Sequence, residues 1–117
     1  MEELLYLTEL FDIYGTLLTK RQQRCMELHL FQDFSLAEIG EELGISRQAV
    51  HDNLRRSQKT MEEWESKLGM VERYRRERAE LSAVRELILK LRRDDNKILV
   101  DEVLERLSLF LGNGREV

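Results

Sequence analysis

Apolar side chains recur every three or four positions along most of the chain, the spacing that places them on one face of an α-helix. Leucine, which favours helices, occurs 21 times, whereas valine, isoleucine and threonine together occur 15 times. The chain has no proline that could break a helix. The sequence therefore predicts an all-α protein with helices over about 4–18, 19–31, 35–44, 46–68, 70–91 and 95–111.

Polar residues and glycines mark where these helices begin and end. Two Ser/Thr-x-x-Glu/Gln patterns predict capping boxes, and a glycine between two helical patterns predicts a left-handed helix end. An unbroken fourth helix, running to Gly69, would be about 34 Å long and would project beyond a compact core. The signals are, in chain order, Thr19 with Gln22, Ser35 with Glu38, Gly44, Ser46, and Asp94 or Asp95, with a frayed end at residues 112–114.

The same spacing defines the apolar residues that form a stripe on each helix. In the first two helices these are Leu4, Leu7, Leu10, Phe11, Tyr14, Leu17, Leu18, Cys25, Met26, Leu28, Leu30 and Phe31. In the next two helices they are Leu36, Ile39, Leu43, Val50, Leu54, Met61, Trp64 and Leu68, and in the last helix Ile98, Val100, Val103, Leu104, Leu107 and Leu111.

Residues 35–50, SLAEIGEELGISRQAV, have the pattern of a DNA-binding helix-turn-helix. Gly40 allows the two helices to approach closely, Gly44 supplies the tight turn, and Ile45 fills the core beneath it. Val50 and Leu54 turn the second helix inward. The alternative is an ordinary helical hairpin whose polar residues face water; the caps, the turn and the inward periodicity together favour the helix-turn-helix.

The second helix of this motif would present its N-terminal end to DNA. In helix-turn-helix proteins that end meets base edges in the major groove, while residues further along contact phosphates. Arg and Gln form bidentate contacts to guanine and adenine, respectively. We expect base contacts from Arg47, Gln48, His51 and Asp52, and phosphate contacts from Ser46, Arg55 and Arg56.

The net charge of −4 is unevenly distributed and leaves room for a basic face. Residues 1–18 contain four acids and no base, and residues 19–56 contain six of each. Residues 57–93 contain ten bases and seven acids. The first helix should turn its acids away from nucleic acid, whereas Glu38, Glu41 and Glu42 before the reading helix would oppose phosphate binding.

The stretch from Leu17 to Met70 strongly resembles the YlxM family of small bacterial helix-turn-helix proteins, whose helical unit is similar to region 4 of sigma factors. The motifs LT-x-x-Q, SLAEI-x-EE and SRQAV-x-DN carry the resemblance. His51 stands where the family leads us to expect an aromatic residue, usually tyrosine. The resemblance implies a DNA-binding regulator, and the gene neighbourhood of such proteins implies a role in the signal recognition particle pathway.

After Gly69 the apolar pattern becomes a heptad-like seam that a lone helix would leave exposed. We therefore expect a helix-turn-helix domain over residues 1–69 and a C-terminal helical segment over 70–117 that forms a two-fold homodimer. The arginines between 73 and 78 alternate with acids, so an exposed salt-bridged helix is the first interpretation and RNA binding the second. The expected interface consists of Met70, Tyr74, Leu81, Val84, Ile88 and Leu91.

No motif in the sequence predicts an enzyme, a metal site or a cofactor. Cys25 is the single cysteine, His29 and His51 lie in no ligand pattern, and no glycine-rich phosphate loop occurs. We interpret Cys25 as a small packing residue. The acidic start lacks a signal-peptide pattern and no stretch is long enough to span a bilayer, so we expect a cytoplasmic protein without membrane insertion.

Two functions therefore remain open. The first is a regulator that binds double-stranded DNA and is linked to signal recognition particle genes. The second is a protein or RNA interaction module that acts on the particle itself and uses the helix-turn-helix as a scaffold.

Overall fold

A computed structural model describes residues 2–92 and 94–111, and within these ranges the protein is helical and has no strand. The all-α prediction is confirmed. A short 3₁₀ turn at Gly15–Leu17 follows the first helix, and another at Asp94–Asn96 precedes the last helix. The α-helices are α1 (Glu2–Tyr14), α2 (Lys20–Leu30), α3 (Leu36–Leu43), α4 (Arg47–Leu68), α5 (Met70–Lys90) and α6 (Lys97–Leu111).

The chain divides into two compact units, Met1–Val71 and Glu72–Val117, which we name the first and the second unit. In the first unit, α1, α2 and α3 all pack against α4. Its core is closed around side chains that are almost fully buried: Leu7, Leu10, Tyr14, Leu18, Cys25, Met26, Leu28, Ile39, Val50, Leu54, Met61 and Val71.

The first helix ends earlier than its apolar pattern predicts. α1 stops at Tyr14, because Gly15, a poor helix former, begins a 3₁₀ turn that packs against the Phe11 ring. Leu18 and Thr19 then both have extended backbone, which is the conformation that Thr19 needs as the N-cap of α2. As a result Leu18 is buried, whereas Leu17, which belongs to the same apolar pattern, is 62% exposed.

Several other apolar residues at helical spacing also lie at the surface. Phe31 is 56% exposed, although its ring lies 5.9 Å from that of Phe11. Leu4 and Leu68 are exposed as well. In α6, Ile98 and Val103 are also exposed. Periodicity identifies a stripe on a helix, but it does not show whether another element covers the whole stripe.

The fourth helix does not project freely beyond the core. Met61, in its fifth turn, is fully buried, and the Trp64 ring lies 6.2 Å from that of Tyr14 on α1. The helix is 22 residues long, which corresponds to about 33 Å, and α1 covers much of its second half. Ser57, one turn before Met61, is also fully buried, at a position that the apolar pattern alone did not indicate.

A hydrogen-bonded cluster within the first unit joins α1 and the end of α4 to the first two residues of α5. Gly69 ends α4 in the left-handed conformation with φ of 60°. The Tyr14 hydroxyl donates to Glu65 Oε1 over 2.7 Å and accepts from the Met70 N–H over 3.3 Å. The Val71 N–H donates to Glu65 Oε1 over 3.0 Å. Two N–H groups at the start of α5 thereby gain side-chain acceptors.

In the second unit, α5 and α6 form an antiparallel helical pair. Arg92 forms an ion pair with Asp101 over 3.0 Å at one end, and Arg78 donates to the Leu111 carbonyl at the other. The expected start of the last helix shifts, because residues 94–96 form a 3₁₀ turn and α6 begins at Lys97. The frayed end expected at residues 112–114 lies outside the described residues. No helix in the described ranges combines the length and hydrophobicity needed to cross a bilayer.

Candidate nucleic-acid interface

The turn between α3 and α4 is tight because two glycines permit it. A Cβ atom on Gly40 would lie 2.6 Å from the Ile45 carbonyl oxygen, closer than any real side chain tolerates. The Ile45 N–H donates to the Gly40 carbonyl over 3.0 Å, so the turn closes directly onto α3. Gly44 ends α3 with φ of 71°, which a residue with a side chain adopts only at a cost.

Both helices of the motif begin with a side-chain cap. Ser35 and Glu38 form the predicted capping box on α3: the Glu38 N–H donates to the Ser35 hydroxyl and the Ser35 N–H donates to the Glu38 carboxylate. On α4 the Ser46 hydroxyl accepts from the Ala49 N–H over 3.0 Å. The caps fix where α4 begins, and therefore which residues occupy its first turn.

The structure brings all four predicted base-contacting residues to the surface of the first two turns of α4. Val50 is fully buried and Leu54 nearly so, which sets the rotation of the helix. The opposite side of the helix therefore points outward. The residues exposed there are Arg47, Gln48, His51 and Asp52.

Three of these side chains lie within reach of one another. Gln48 Nε2 donates to Asp52 Oδ1 over 3.1 Å. His51 Nδ1 lies 3.8 Å from the same carboxylate oxygen, and both side chains are about half exposed. Arg47 has no ion pair among the residues that the structure describes. The outward face thus presents guanidinium, amide, imidazole and carboxylate groups within two turns.

The predicted phosphate-contacting residues flank this group. Arg55 and Arg56 are exposed and form no ion pair within residues 2–92 and 94–111. Ser46 is exposed, but its hydroxyl oxygen already accepts the cap hydrogen bond. Lys59 is exposed one turn after Arg55 on the same face, and the sequence-based expectations did not include it. The i, i+4 spacing of Arg55 and Lys59 could have predicted that Lys59 shares the face of Arg55.

Two of the acids on α3 that would oppose phosphates already bind other groups. The Glu38 carboxylate accepts the Ser35 N–H over 2.7 Å, and Glu42 lies 3.7 Å from the Arg24 guanidinium on α2. Both Glu42 and Arg24 are about half exposed, so this pair is weak, but the nearby positive charge reduces the field of the acid. Glu41 is exposed, and its charge faces solvent.

The acidic α1 lies against the core-facing side of α4. The predicted packing of Leu7, Leu10 and Tyr14 into the core is confirmed, with Phe11 partly buried beside them. Tyr14 contacts α4 at Trp64, about 25 Å along the helix axis from Arg47. Only the opposite, outward side of α4 carries the candidate DNA-contacting residues.

The thiol of Cys25 is a packing group, as predicted. Cys25 is fully buried, and burial raises the pKa of its thiol above the ordinary value of 9.0. Because the thiolate is the nucleophilic form, the raised pKa keeps the group unreactive at neutral pH. Within the described part of the chain, no group of three or more His, Cys, Asp or Glu side chains is placed to hold a metal ion.

Comparison with known proteins agrees with this architecture. A family model described as "Putative helix-turn-helix protein, YlxM / p13 like" matches residues 1–101. The UPF0122 protein YlxM of Bacillus subtilis is 35% identical over 108 residues, which cover 92% of this chain and 98% of that protein. A UPF0122 protein of Symbiobacterium thermophilum is 40% identical over 79% of this chain and 97% of its own length.

A UPF0122 protein of Desulforamulus reducens is 43% identical over 75% of each chain. The chain belongs to the YlxM/p13-like family of helix-turn-helix proteins. The family model extends beyond both ends of the stretch from Leu17 to Met70 that carried the resemblance, and it includes all of α5 and the first five residues of α6.

Proposed function

We propose that this member of the YlxM/p13-like family is a regulatory protein that binds double-stranded DNA through the N-terminal half of α4. The observation that carries the proposal is the outward face of that helix. Arg47 and Gln48 are exposed there, while buried Val50 prevents the helix from rotating. Arg55 lies two turns further along on the same face, where it can contact a phosphate.

The proposal separates residues that read bases from residues that hold the backbone. Arg47→Ala should cost about 1–3 kcal/mol of binding free energy and relax the preference at one base pair. Arg55→Ala should weaken binding to every duplex and reduce the salt slope by about one unit. Selection from a library of duplexes with a randomised central segment, followed by fluorescence anisotropy across salt concentrations, measures both effects.

Glu63→Ala is a control, because Glu63 is exposed on the same helix about two turns beyond Arg55. This variant should keep the base preference. Equal losses for Arg47→Ala and Arg55→Ala on all duplexes would contradict specific readout. Absence of duplex binding at about 50 mM salt would contradict DNA binding altogether.

The second unit supports a proposed homodimer. The expected interface residues Tyr74, Leu81 and Val84 line a groove of about 570 Å³ together with Phe110 of α6. Val84 and Ile88 line a second groove of about 550 Å³, next to Val103 and Leu107. Leu91 is 59% exposed, and Met70 lies in the first unit with 43% exposure.

A second copy is the occupant that we propose for these grooves, because the apolar seam of α5 can pack against itself about a two-fold axis. Leu81→Glu with Ile88→Glu should convert the dimer to a monomer in light scattering at micromolar concentration. Leu87→Glu introduces the same charge on α5 outside both grooves and should leave the dimer intact. A monomeric wild type, or a double variant that still dimerises, would contradict the proposal.

The biological setting is proposed from the family resemblance: a cytoplasmic regulator without catalytic activity that serves the signal recognition particle pathway. The second candidate function is an interaction with the RNA or protein of the particle. The exposure of Arg73 and Arg76 on α5 favours this candidate. The full-length protein can be tested both by RNA crosslinking and by selection from the duplex library. Recovery of crosslinked RNA together with no selected duplex would support the interaction with the particle over DNA binding.

A further inference from the structure

The hydrogen bond between Gln48 and Asp52 has a consequence for base recognition. Gln48 is the second residue of α4, and Asp52 follows one turn later on the same exposed face. The Gln48 amide gives one of its two Nε2 hydrogens to Asp52 Oδ1 over 3.1 Å. The Gln48 amide makes no other hydrogen bond among the described residues, so its second hydrogen and its carbonyl oxygen Oε1 are available to a ligand.

This bond selects one of the two orientations of the amide. An ionised carboxylate accepts hydrogen bonds but cannot donate them, so a flipped amide would place Oε1 against Asp52 and be repelled. The accepted orientation fixes which side of the amide donates and which accepts. Adenine presents an N7 acceptor beside an N6 donor in the major groove, and a glutamine amide held in this way matches that pair.

We propose that Asp52 is a specificity-determining residue that acts through Gln48, orienting the amide for adenine without itself contacting a base. This inference rests on the proposed DNA binding by α4. The Asp52 carboxylate reduces the number of orientations that the Gln48 amide samples in the free protein. This preorganisation favours adenine binding without any new contact to DNA.

A neighbouring pair on the same helix shows how the proposal differs from ordinary helix stabilisation. Gln58 Nε2 donates to Glu62 Oε2 over 3.2 Å, also four residues apart and also exposed. Such pairs stabilise helices wherever they occur. Gln58, however, lies ten residues beyond Gln48, about 15 Å further along the axis. The Gln58–Glu62 pair is therefore a matched control for charge and helix stability.

The test compares base preferences of full-length variants selected on the randomised duplex library. Gln48→Ala should lower the preference for adenine at one base pair about five-fold or more. Asp52→Ala should lower the preference at that same base pair about two- to five-fold, because the freed amide samples both orientations. Asp52→Asn can donate as well as accept, so it pairs with either amide orientation; it should lower the preference at that base pair as Asp52→Ala does, with somewhat tighter binding to all sequences.

Two further variants complete the test. The double variant Gln48→Ala with Asp52→Ala should show the preference of Gln48→Ala alone, because Asp52 then has nothing to orient. Glu62→Ala should leave every preference unchanged. Circular dichroism of each variant confirms that the helices are intact.

The outcomes separate this inference from the proposed function. An unchanged preference in Asp52→Ala, or a loss at a different base pair, would overturn the inference while DNA binding stands; the second result would mean that Asp52 reads a base itself. A wild-type protein that selects no sequence would overturn the proposed function, and the inference would fall with it.

Discussion

The two units of this chain differ in how far their apolar side chains are buried. In the first unit, twelve core side chains, from the four helices, Leu18 and the start of α5, are almost fully buried around α4. In the described part of the second unit, Val100 and Leu111 are buried, whereas Val84, Leu109 and Phe110, which line the grooves, are 45%, 78% and 73% exposed. The first unit has a closed core, and the second has apolar surface that its own described helices do not cover.

The difference follows from the number of helices available for covering. In the first unit α4 is in contact with α1, α2 and α3, so its stripe from Val50 to Met61 is covered from several sides. The described part of the second unit contains two α-helices, and no third helix there covers the apolar seam between them. The stability of the first unit should therefore be independent of protein concentration, and that of the second should depend on it.

The largest expected effect comes from shortening one apolar side chain to alanine in each unit and comparing the two losses of stability. Met61 is fully buried, so Met61→Ala should lower the free energy of unfolding by about 2–5 kcal/mol. Leu87 is 60% exposed and lies outside both grooves, so Leu87→Ala should change it by less than about 0.5 kcal/mol. Urea denaturation at two protein concentrations measures both values. Similar losses from the two substitutions would remove the distinction between the units.

A smaller effect is expected at Gly40, where α3 and the following turn approach closely. Gly40→Ala places a methyl group 2.6 Å from the Ile45 carbonyl, and α3 must move away from the turn. We expect a loss of about 1–3 kcal/mol, together with weaker duplex binding because the start of α4 shifts. Gly44→Ala meets no atom within 4 Å and should cost about 1 kcal/mol through its positive φ alone. An unaffected Gly40→Ala variant would contradict the tight turn.

The smallest effect concerns the hydrogen bonds of Tyr14. Tyr14→Phe removes the donor to Glu65 and the acceptor of the Met70 N–H, and should cost about 1–2 kcal/mol at neutral pH. Burial, reinforced by the hydrogen bond to Glu65, raises the pKa of the Tyr14 hydroxyl above 10.0. The folded protein therefore holds this proton more tightly than the unfolded chain does.

This contribution is complete below the unfolded-state pKa and is lost as the pH rises through the raised folded-state pKa. The stability difference between the wild type and Tyr14→Phe should consequently shrink above about pH 10. Thermal denaturation of both proteins from pH 7 into this range measures it. A difference that stays constant or grows with pH would contradict the role given to the hydroxyl.

Much of the fold could be predicted because its signals are local. The capping boxes at Thr19 and Ser35 and the left-handed Gly44 depend on residues within one turn, and all three are confirmed. Coverage of a helix depends on distant elements, and for this reason the apolar spacing did not show that Leu17 and Ile98 would be exposed.

The functional face was predictable to the same extent. Val50 and the cap at Ser46 determine which way α4 faces, so the exposure of Arg47 and Gln48 followed from the sequence. The bond between Tyr14 and Glu65 joins residues 51 positions apart, and no local pattern indicates it. The orientation of the Gln48 amide likewise required coordinates, because spacing alone does not determine which atom donates.

The central proposal is that the first unit binds DNA through α4 and that the second unit forms a dimer, so that each dimer carries two DNA-binding units. Its most direct test is the binding of the full-length protein to duplexes that carry two selected half-sites at different separations. The account predicts the tightest binding at about 34–36 Å, one helical turn, and loss of this optimum in the Leu81→Glu, Ile88→Glu double variant, with half-site binding retained. Affinity that is independent of separation, or an optimum that the double variant keeps, would contradict it.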